Sequence, residues 1–321
     1  MGFHKWLTAF LLYWKNKYGD FVNTEIADID EHLKPATLDD FNIIHDFLKK
    51  YPTEMCDFNI CNLFTWDLFL KLKYTFCFDR LILFNPSYTY FLAPIGERLS
   101  AEELFQIYNS FKKTYPNVEI LGVSEDYINN TPELSEYFYI RNDENLNDYI
   151  YTTENLVKLP GKKLAKKKNL ISQFMRQYTD FTVKPIDAND YAEIMEFCYY
   201  WKETHEDENE SLIVEFEAIR TILTHWDLFP CYGLKLYTGG KMFAFSIYGR
   251  QTDEMATILF EKYDFQVKGA GQIINQETAK VLIKDYKYIN REQDMGSAGI
   301  RQAKRSYQPL KMLPYHRLKS K

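Results

Sequence analysis

The chain has 321 residues, of which 46% are hydrophobic, so it is long enough to bury the cores of two ordinary domains. The formal net charge of −6 excludes the basic surface of a protein that binds nucleic acid over a whole face, so we expect no DNA partner and only local contact with RNA. The five cysteines form no CxxC pair, which argues against a disulfide framework or a cysteine-rich zinc site and favours a reducing, cytoplasmic location.

The first apolar stretch is WLTAFLLYW at residues 6–14, and a polar run without a small-residue cleavage site follows it. Its nine residues are too few to cross a bilayer, and no other stretch of the chain approaches 18 apolar residues. We therefore expect an N-terminal helical extension at residues 1–32 and no integral membrane segment.

Two segments that begin 150 residues apart are similar to each other. KPATLDDFNIIHDFLKKY (34–51) and KPIDANDYAEIMEFCYYW (184–201) share five identical positions. Each predicts a short strand that ends at proline, a helix cap at Asp39 or Asn189, and a helix with one apolar face. The sequence thus favours a repeated structural unit over a chance similarity between two helix starts.

The order of predicted elements is also similar after each of these starts. In the first half, a helix is followed by three strand-like runs, a second helix and a strand, within residues 61–124. In the second half, a helix is followed by a strand hairpin around TGGK (238–241), a further strand, a helix, a strand, a short helix and a last strand. Each half is therefore predicted to be a mixed α+β unit.

The stretch FQVKGAGQIINQE (265–277) places two glycines between a predicted strand and a predicted helix. Glycines let backbone N–H groups converge on one point, and the following helix adds the positive end of its dipole. The turn is thus either a phosphate-binding loop or a tight corner without a ligand. Its candidate ligand-binding residues are Gln266, Lys268, Gly269, Ala270, Gly271 and Gln272.

The element order and this turn together resemble the GNAT N-acetyltransferase fold, whose fourth strand leads into a turn of pattern Q/R-x-x-G-x-G/A. The resemblance implies that the turn binds the pyrophosphate of coenzyme A. A second resemblance rests on DYIYTTENLVKLPGKKLAKKKNLISQF (148–174) and INREQDMGSAGIRQAKRSYQPL (289–310). Both are similar to signature stretches of the bacterial family that contains the C-terminal catalytic domain of phosphatidylglycerol lysyltransferases, and the similarity extends over most of the chain from about residue 33.

This second resemblance implies an α+β fold with two tandem GNAT-like (acyl-CoA N-acyltransferase) domains, as in FemX-type peptidoglycan aminoacyltransferases. Their sheets are expected to be mixed, mostly antiparallel and flanked by helices. We expect a first GNAT-like domain at 33–150, a basic helical linker at 151–180, and a second GNAT-like domain with the ligand loop at 181–321. The resemblance also implies transfer of an aminoacyl group from aminoacyl-tRNA to a lipid hydroxyl or an amine.

A lysine-rich segment, GKKLAKKKN, is unusual in an acidic chain. Its lysines either form a local contact with tRNA or phosphate, or cover a solvated linker helix. They are Lys162, Lys163, Lys166, Lys167 and Lys168.

The run NREQD (290–294) supplies the candidate catalytic carboxylates Glu292 and Asp294, which strand alternation places on one face with Asn290. The alternative is that these charges form ion pairs with the last helix, through Arg301, Lys304 or Arg305. Tyr307, expected on one helical face with Lys304, is either a proton donor or a buried aromatic with a satisfied hydroxyl. Glu261 is a weaker candidate for the same cleft, and the histidine spacings predict no metal site.

The leading functional hypothesis is an acyl- or aminoacyl-transferase whose donor is aminoacyl-tRNA or acyl-CoA and whose acceptor the sequence does not identify. A peripheral membrane lipid is among the possible partners. The alternatives are a coenzyme A-dependent N-acetyltransferase and a non-catalytic binding module that kept the fold.

Overall fold

The computed structural model describes residues 29, 31–66, 70–204 and 210–321, so the expected N-terminal extension lies almost wholly outside the described residues. The strands are β1 (Lys34–Pro35), β2 (Lys73–Cys77), β3 (Arg80–Asn85), β4 (Tyr90–Leu92), β5 (Glu119–Val123), β6 (Phe138–Asn142), β7 (Asp148–Thr152), β8 (Thr182–Pro185), β9 (Cys231–Thr238), β10 (Lys241–Arg250), β11 (Met255–Tyr263), β12 (Tyr288–Asn290), β13 (Lys311–Leu313) and β14 (His316–Ser320). The helices are α1 (Phe41–Lys50), α2 (Ile60–Thr65), α3 (Ala101–Thr114), α4 (Glu125–Asn129), α5 (Leu134–Tyr137), α6 (Thr153–Lys158), α7 (Ala165–Gln177), α8 (Tyr191–Glu203), α9 (Glu210–Thr224), α10 (Ala270–Leu282) and α11 (Ala298–Arg305). Among the described residues, none of these helices has the length and apolar character that a membrane crossing requires.

The strands form two seven-stranded sheets with the same internal order. The first sheet runs β1-β2-β3-β4-β5-β14-β6, and the second runs β8-β9-β10-β11-β12-β7-β13. In each sheet the first four strands form antiparallel ladders, and a parallel pair follows, β4 with β5 or β11 with β12. A parallel pair needs a crossover connection, which α3 supplies in the first sheet and α10 in the second. The expected repeat of a mixed, mostly antiparallel α+β unit is thus confirmed.

The two similar segments adopt the same local structure. Helix α1 begins at residue 41 and α8 at residue 191, which keeps the 150-residue offset of the sequence. The predicted caps at Asp39 and Asn189 are wrong, because each helix is entered through a capping box that begins two residues earlier. The Asp40 side chain accepts the N–H of Thr37 at 2.9 Å, and the Asp190 side chain accepts the N–H of Asp187 at 2.8 Å.

The chain divides into two compact units whose segments interleave along the sequence. Unit 1 comprises the described parts of Met1–Tyr51, Lys71–Ile140 and Arg317–Lys321. Unit 2 comprises the described parts of Pro52–Leu70 and Arg141–His316. Compared with the expected ranges, residues 52–70 and 141–180 lie with the second unit, and the last strand lies with the first.

The core of unit 2 includes the segment that the sequence suggested as a linker. Strand β7 pairs with β12 and β13, and its Tyr149 and Tyr151 are each 1% exposed. Phe174 of α7 is fully buried, with its ring 5.4 Å from that of Phe243 in β10. Burial of a phenylalanine stabilises a fold by about 1.5–3 kcal/mol, so α7 is part of the scaffold that holds the candidate site.

Candidate functional site

The glycines of the predicted ligand loop are explained by packing within unit 2. Gly269 caps α10 with a φ of 89°, and a Cβ at this position would lie 3.0 Å from the Leu170 carbonyl oxygen of α7. A Cβ at Gly271 would lie 2.6 Å from the Tyr263 ring. The N–H of Ala270 donates to the carbonyl oxygen of Val267 at 3.0 Å, within the turn. These contacts require a tight corner, and anion binding by this loop stays a prediction.

The structure separates the five lysines of the basic segment into two classes. Lys162, Lys163, Lys166 and Lys168 are exposed, whereas Lys167 is half-buried. The Nζ atom of Lys167 lies 4.4 Å from the centroid of the Tyr307 ring, which is close enough for a cation–π interaction. The segment therefore contributes one inward-facing ammonium group rather than five equivalent charges.

Tyr307 is the centre of a polar cluster that joins several predicted residues. The Arg291 guanidinium lies 5.3 Å from the Tyr307 ring centroid and donates to Glu261 Oε1 at 2.8 Å. The Tyr307 side chain is buried, and that burial raises its pKa, an effect that the nearby Gln272 side chain opposes. Tyr307 lies beyond the end of α11, so the predicted helical face shared with Lys304 is wrong. Burial of this side chain favours the structural interpretation of Tyr307.

The run NREQD does not continue as a strand. Strand β12 ends at Asn290, and Glu292 has a φ of 55°, in the left-handed region that a non-glycine residue rarely adopts. The expected alternation of Asn290, Glu292 and Asp294 on one face is therefore wrong. The side chain of Asn290 accepts the N–H of Glu292 at 2.7 Å and so holds the unusual backbone conformation in place. Such strain is concentrated at functional sites in proteins.

Glu292 lies in a cluster of ionisable groups within unit 2. Its Oε1 accepts a hydrogen bond from Asn62 Nδ2 at 2.7 Å. Burial raises the pKa of Glu292 to about 8, an effect that Asp148 and Asp57 increase and that Asn62 and Lys304 oppose. Burial also lowers the pKa of Lys304, whose Nζ donates to the carbonyl oxygen of Gln293. A carboxyl group whose pKa lies near neutrality can both take and return a proton.

A second acidic pair supports this cluster from β7 and from the turn before α2. Asp148, at 2% exposure, accepts the N–H of Cys56 and the side chain of Asn290, each at 2.7 Å. Burial raises the pKa of Asp148, and it raises the pKa of Asp57 to about 7. The atoms of Cys56, Asp57 and Asp148 that could bind a metal ion lie within 4.8 Å of one another, a spacing that metal ligands also have. Hydrogen-bond donors of the protein already contact both carboxylate oxygens of Asp148, so hydrogen bonds satisfy this carboxyl group.

Asp294 is an ion-pair residue in this structure. Arg301 of α11 donates to its two oxygens, each at 2.8 Å, and the Tyr149 hydroxyl donates at 2.6 Å. The hydrogen bonds from Arg301 lower the pKa of Asp294 to about 2. The predicted pairing of this carboxylate with the last helix is confirmed, and a catalytic role of Asp294 gains no support from its contacts.

Sequence reasoning missed the residues that surround Glu292 from other segments. They are Cys56, Asp57, Asn62 and Asp148. A signal for them exists in retrospect, since CDFNICN (56–62) places polar residues inside an otherwise apolar stretch, and Asp148 opens the apolar strand DYIY. Their convergence on residues 290–304 depends on tertiary contacts that no local pattern encodes.

The chain is similar to known proteins in sequence and in fold. A family model described as phosphatidylglycerol lysyltransferase, C-terminal, matches residues 54–317, which is more than half of the chain. A curated relative, the uncharacterized protein MYCGA3080 of Mycoplasmoides gallisepticum, is 26% identical over 169 residues, 52% of this chain and 54% of the relative. The match thus spans about half the length of that relative.

Solved structures extend the similarity over nearly the whole chain. A conserved protein of unknown function from Bacteroides thetaiotaomicron has a TM-score of 0.83 and 29% identity, covering 90% of this chain and 99% of that one. L-PGS from Bacillus licheniformis has a TM-score of 0.59 and 12% identity, covering 86% and 90%. FemX has a TM-score of 0.56 and 8% identity, covering 88% of this chain and 96% of that one. These two more distant structures show the fold. The architecture is that of tandem GNAT-like domains, and the chain belongs to the family of the phosphatidylglycerol lysyltransferase C-terminal domain.

Proposed function

We propose that this protein is an aminoacyltransferase that moves an aminoacyl group from aminoacyl-tRNA to an acceptor hydroxyl or amine, with Glu292 as the general base. The observation that carries the proposal is the state of Glu292, a half-buried carboxyl group with a pKa of about 8. A base poised near the working pH combines a useful ionised fraction with a strong affinity for the proton.

In the proposed reaction the acceptor oxygen or nitrogen attacks the ester carbonyl carbon of the donor, and its proton passes to Glu292. The carbonyl electron pair moves onto oxygen, and collapse of the tetrahedral intermediate breaks the ester bond and releases the ribose hydroxyl of the tRNA, which takes up a proton. Lys304, which interacts electrostatically with Glu292, supplies positive charge beside the reacting groups. Asn62 fixes one oxygen of Glu292 through its 2.7 Å hydrogen bond.

Family membership favours aminoacyl-tRNA over acyl-CoA as the donor. The coenzyme A-dependent N-acetyltransferase remains the second candidate, because the turn at residues 266–271 fits the acetyltransferase pattern. The contacts of Gly269 and Gly271 with α7 and Tyr263 account for the glycines without a bound cofactor, so the pattern alone does not favour coenzyme A.

The experiment that tests the proposal measures transfer of radiolabelled amino acids from a mixture of charged tRNAs. The acceptors are phosphatidylglycerol vesicles in one arm and a pool of small amines in another, and labelled acetyl-CoA replaces the tRNA in a parallel series. We expect label to move from tRNA to one acceptor class, and Glu292→Gln to lower the rate by about 10²–10⁴-fold. Transfer from acetyl-CoA alone would favour the second candidate. Binding of charged tRNA without transfer would favour the non-catalytic module.

A further inference from the structure

Asp148, the first residue of β7, is connected to the backbone of Glu292 through one other side chain. Its Oδ2 accepts a hydrogen bond from Asn290 Nδ2 at 2.7 Å, and Asn290 Oδ1 in turn accepts the N–H of Glu292 at 2.7 Å. Asn290 Nδ2 also donates to the carbonyl oxygen of Glu54 at 2.9 Å. Three partners thus fix the amide plane of Asn290, and Asp148 is the charged one among them.

A second path leads from Asp148 to the carboxyl group of Glu292. The N–H of Cys56 donates to Asp148 Oδ2 at 2.7 Å, and the Cys56 thiol donates to Asp148 Oδ1 at 3.1 Å. The carbonyl oxygen of Cys56 accepts a hydrogen bond from Asn62 Nδ2 at 3.1 Å, and the same Nδ2 donates to Glu292 Oε1 at 2.7 Å. Asp148 therefore holds the turn that places Asn62 against the reacting carboxyl group.

The strand that carries Asp148 is a rigid frame for both paths. Strand β7 lies between β12 and β13 in the second sheet, and the N–H of Tyr149 donates to the Glu292 carbonyl oxygen at 3.3 Å. Asp148 and Asn290 are 2% and 0% exposed, so water does not compete for their hydrogen bonds. The left-handed backbone of Glu292, with a φ of 55°, persists only where surrounding contacts hold it.

We propose that Asp148 is the positioning residue of the site, which holds the backbone of Glu292 through Asn290 and the side chain of Glu292 through Cys56 and Asn62. The catalytic role of Glu292 rests on the proposed function, whereas its positioning by Asp148 is measurable without turnover. A carboxyl group that transfers a proton must be held in a defined place relative to the reacting atoms.

Asp57 provides a matched comparison with Asp148. The charges of both residues raise the pKa of Glu292. The carboxylate of Asp57 accepts hydrogen bonds from Gln293, from Tyr315 and, at 3.7 Å, from the Cys56 thiol. In the described part of the chain, neither of the two asparagines that contact Glu292 donates to Asp57. A purely electrostatic role would therefore be shared by the two carboxylates, and a positioning role would belong to Asp148.

The first test is hydrogen exchange of the Glu292 N–H, followed by NMR on the full chain. Asp148→Glu keeps the charge but displaces the two oxygens by one methylene, whereas Asp148→Asn loses the charge and keeps an oxygen that accepts from Asn290 and Cys56. We expect exchange to be faster by about tenfold or more in Asp148→Glu and by less than about threefold in Asp148→Asn. The reverse order would show that the charge alone matters and would overturn the proposal.

Two controls accompany this measurement. Asp57→Glu, the same substitution at the other carboxylate, is expected to change the exchange of the Glu292 N–H by less than about twofold. The amide of Phe245 in the central strand β10 is expected to exchange at the same rate in all variants, which shows that the core stays folded. Equal acceleration at Glu292 in Asp57→Glu and Asp148→Glu contradicts the assignment to Asp148.

A second variant keeps the proposal testable if Asp148→Glu does not fold. Asn290→Ser adds no atoms and removes no charge, but its short side chain cannot connect Asp148 with the N–H of Glu292. We expect the Glu292 N–H to exchange faster by about tenfold or more in this variant. An unchanged exchange rate in folded Asn290→Ser contradicts the path from Asp148 to the backbone of Glu292.

Steady-state kinetics of aminoacyl transfer connect the positioning with the proposed function. Asp148→Glu is expected to lower kcat by about tenfold or more and to change the KM of the acceptor by less than about threefold. A raised KM with an unchanged kcat would place Asp148 in acceptor binding and overturn the proposal. If Asp148→Glu accelerates exchange at Glu292 but Glu292→Gln keeps full activity, the general base is refuted and the positioning by Asp148 stands.

Discussion

At the residue scale, Glu292 and Asp294 show how two carboxyl groups two positions apart acquire opposite proton affinities. Burial raises the pKa of Glu292 to about 8 with help from the charges of Asp148 and Asp57, although Lys304 opposes the shift. Hydrogen bonds from Arg301 lower the pKa of Asp294 to about 2. In the proposed reaction the first carboxyl group transfers a proton, whereas the contacts of the second with Arg301 give it a structural role.

The raised pKa of Glu292 predicts a pH-dependent cost in stability. Between about pH 4.5 and pH 8 the native state keeps a proton that the unfolded chain releases, so the free energy of unfolding falls as the pH rises through this window. Glutamine cannot ionise, so Glu292→Gln does not carry this cost. The free energy of unfolding of Glu292→Gln, relative to that of the unaltered protein, is therefore expected to be higher at pH 8 than at pH 5. Urea unfolding at the two pH values measures this difference, and an equal difference at both would contradict the assigned pKa.

The lowered pKa of Asp294 predicts the opposite behaviour. The ionised carboxylate stabilises the fold above its ordinary pKa of about 3.9, and this contribution is lost as the pH falls through about 2. Asp294→Asn is expected to lower the free energy of unfolding by roughly 2–4 kcal/mol at pH 7, because it leaves Arg301 without its partner. The gap should narrow when the pH is lowered to about 2. A gap that is constant across this range would show that the ion pair contributes nothing.

Asn62 is expected to position Glu292. Its hydrogen bond lowers the pKa of Glu292 against the effect of burial, so Asn62→Leu should raise that pKa further. Carboxyl ¹³C NMR titration, with the Glu292 signal assigned by its absence in Glu292→Gln, measures the change. Asn130→Leu, the same substitution at an exposed residue of unit 1, is the control. If both variants leave the Glu292 titration unchanged, Asn62 has no positioning role.

The residue scale also shows where sequence patterns stop being informative. Glu292 and Asp294 were identifiable because they lie together in a distinctive run. Asn62 lies 230 positions from Glu292, and Asp148 lies 142 positions from its partner Asn290. Contacts at such separations arise from the sheet order, and no periodicity within a single sequence indicates them.

At the element scale, the lysines of α7 gave no indication that this helix packs into the core of unit 2. Its lysines suggested a solvated linker, but Phe174, Ile171 and the close approach of Gly269 fix it against α10 and β10. The sequence predicted a helix here, as part of a basic linker at 151–180. It did not predict which core the helix joins, because five lysines in seven positions dominate the local pattern.

Phe174 provides the test of this structural role. Phe174→Ala removes a fully buried ring that contacts Phe243, Phe181 and Tyr178, and it is expected to lower the free energy of unfolding by about 3–5 kcal/mol. Met175 is 49% exposed on the same helix, and Met175→Ala should change that free energy by about 0.5 kcal/mol or less. Chemical denaturation compares the two, and similar values would show that α7 is a loosely attached linker.

At the scale of the whole molecule, the chain repeats one sheet order twice while exchanging strands between its halves. The repeat was predictable because each copy begins with the same strand, capping turn and helix. The exchange of strands was not predictable. Strand β7 joins the second sheet and β14 joins the first, but no feature of their own sequences specifies which sheet each strand joins. Family membership then connects this architecture with the lysyltransferase C-terminal domain.

The central claim is that Glu292 removes a proton from the acceptor during aminoacyl transfer. The most direct measurement is the pH dependence of the transfer rate at limiting acceptor concentration, for the unaltered protein and for Glu292→Gln. We expect a rate that rises with pH, is half-maximal near pH 8 and levels off above it, and a Gln variant that is strongly impaired and lacks this rise. A Gln variant with full activity and the same pH profile would contradict the account.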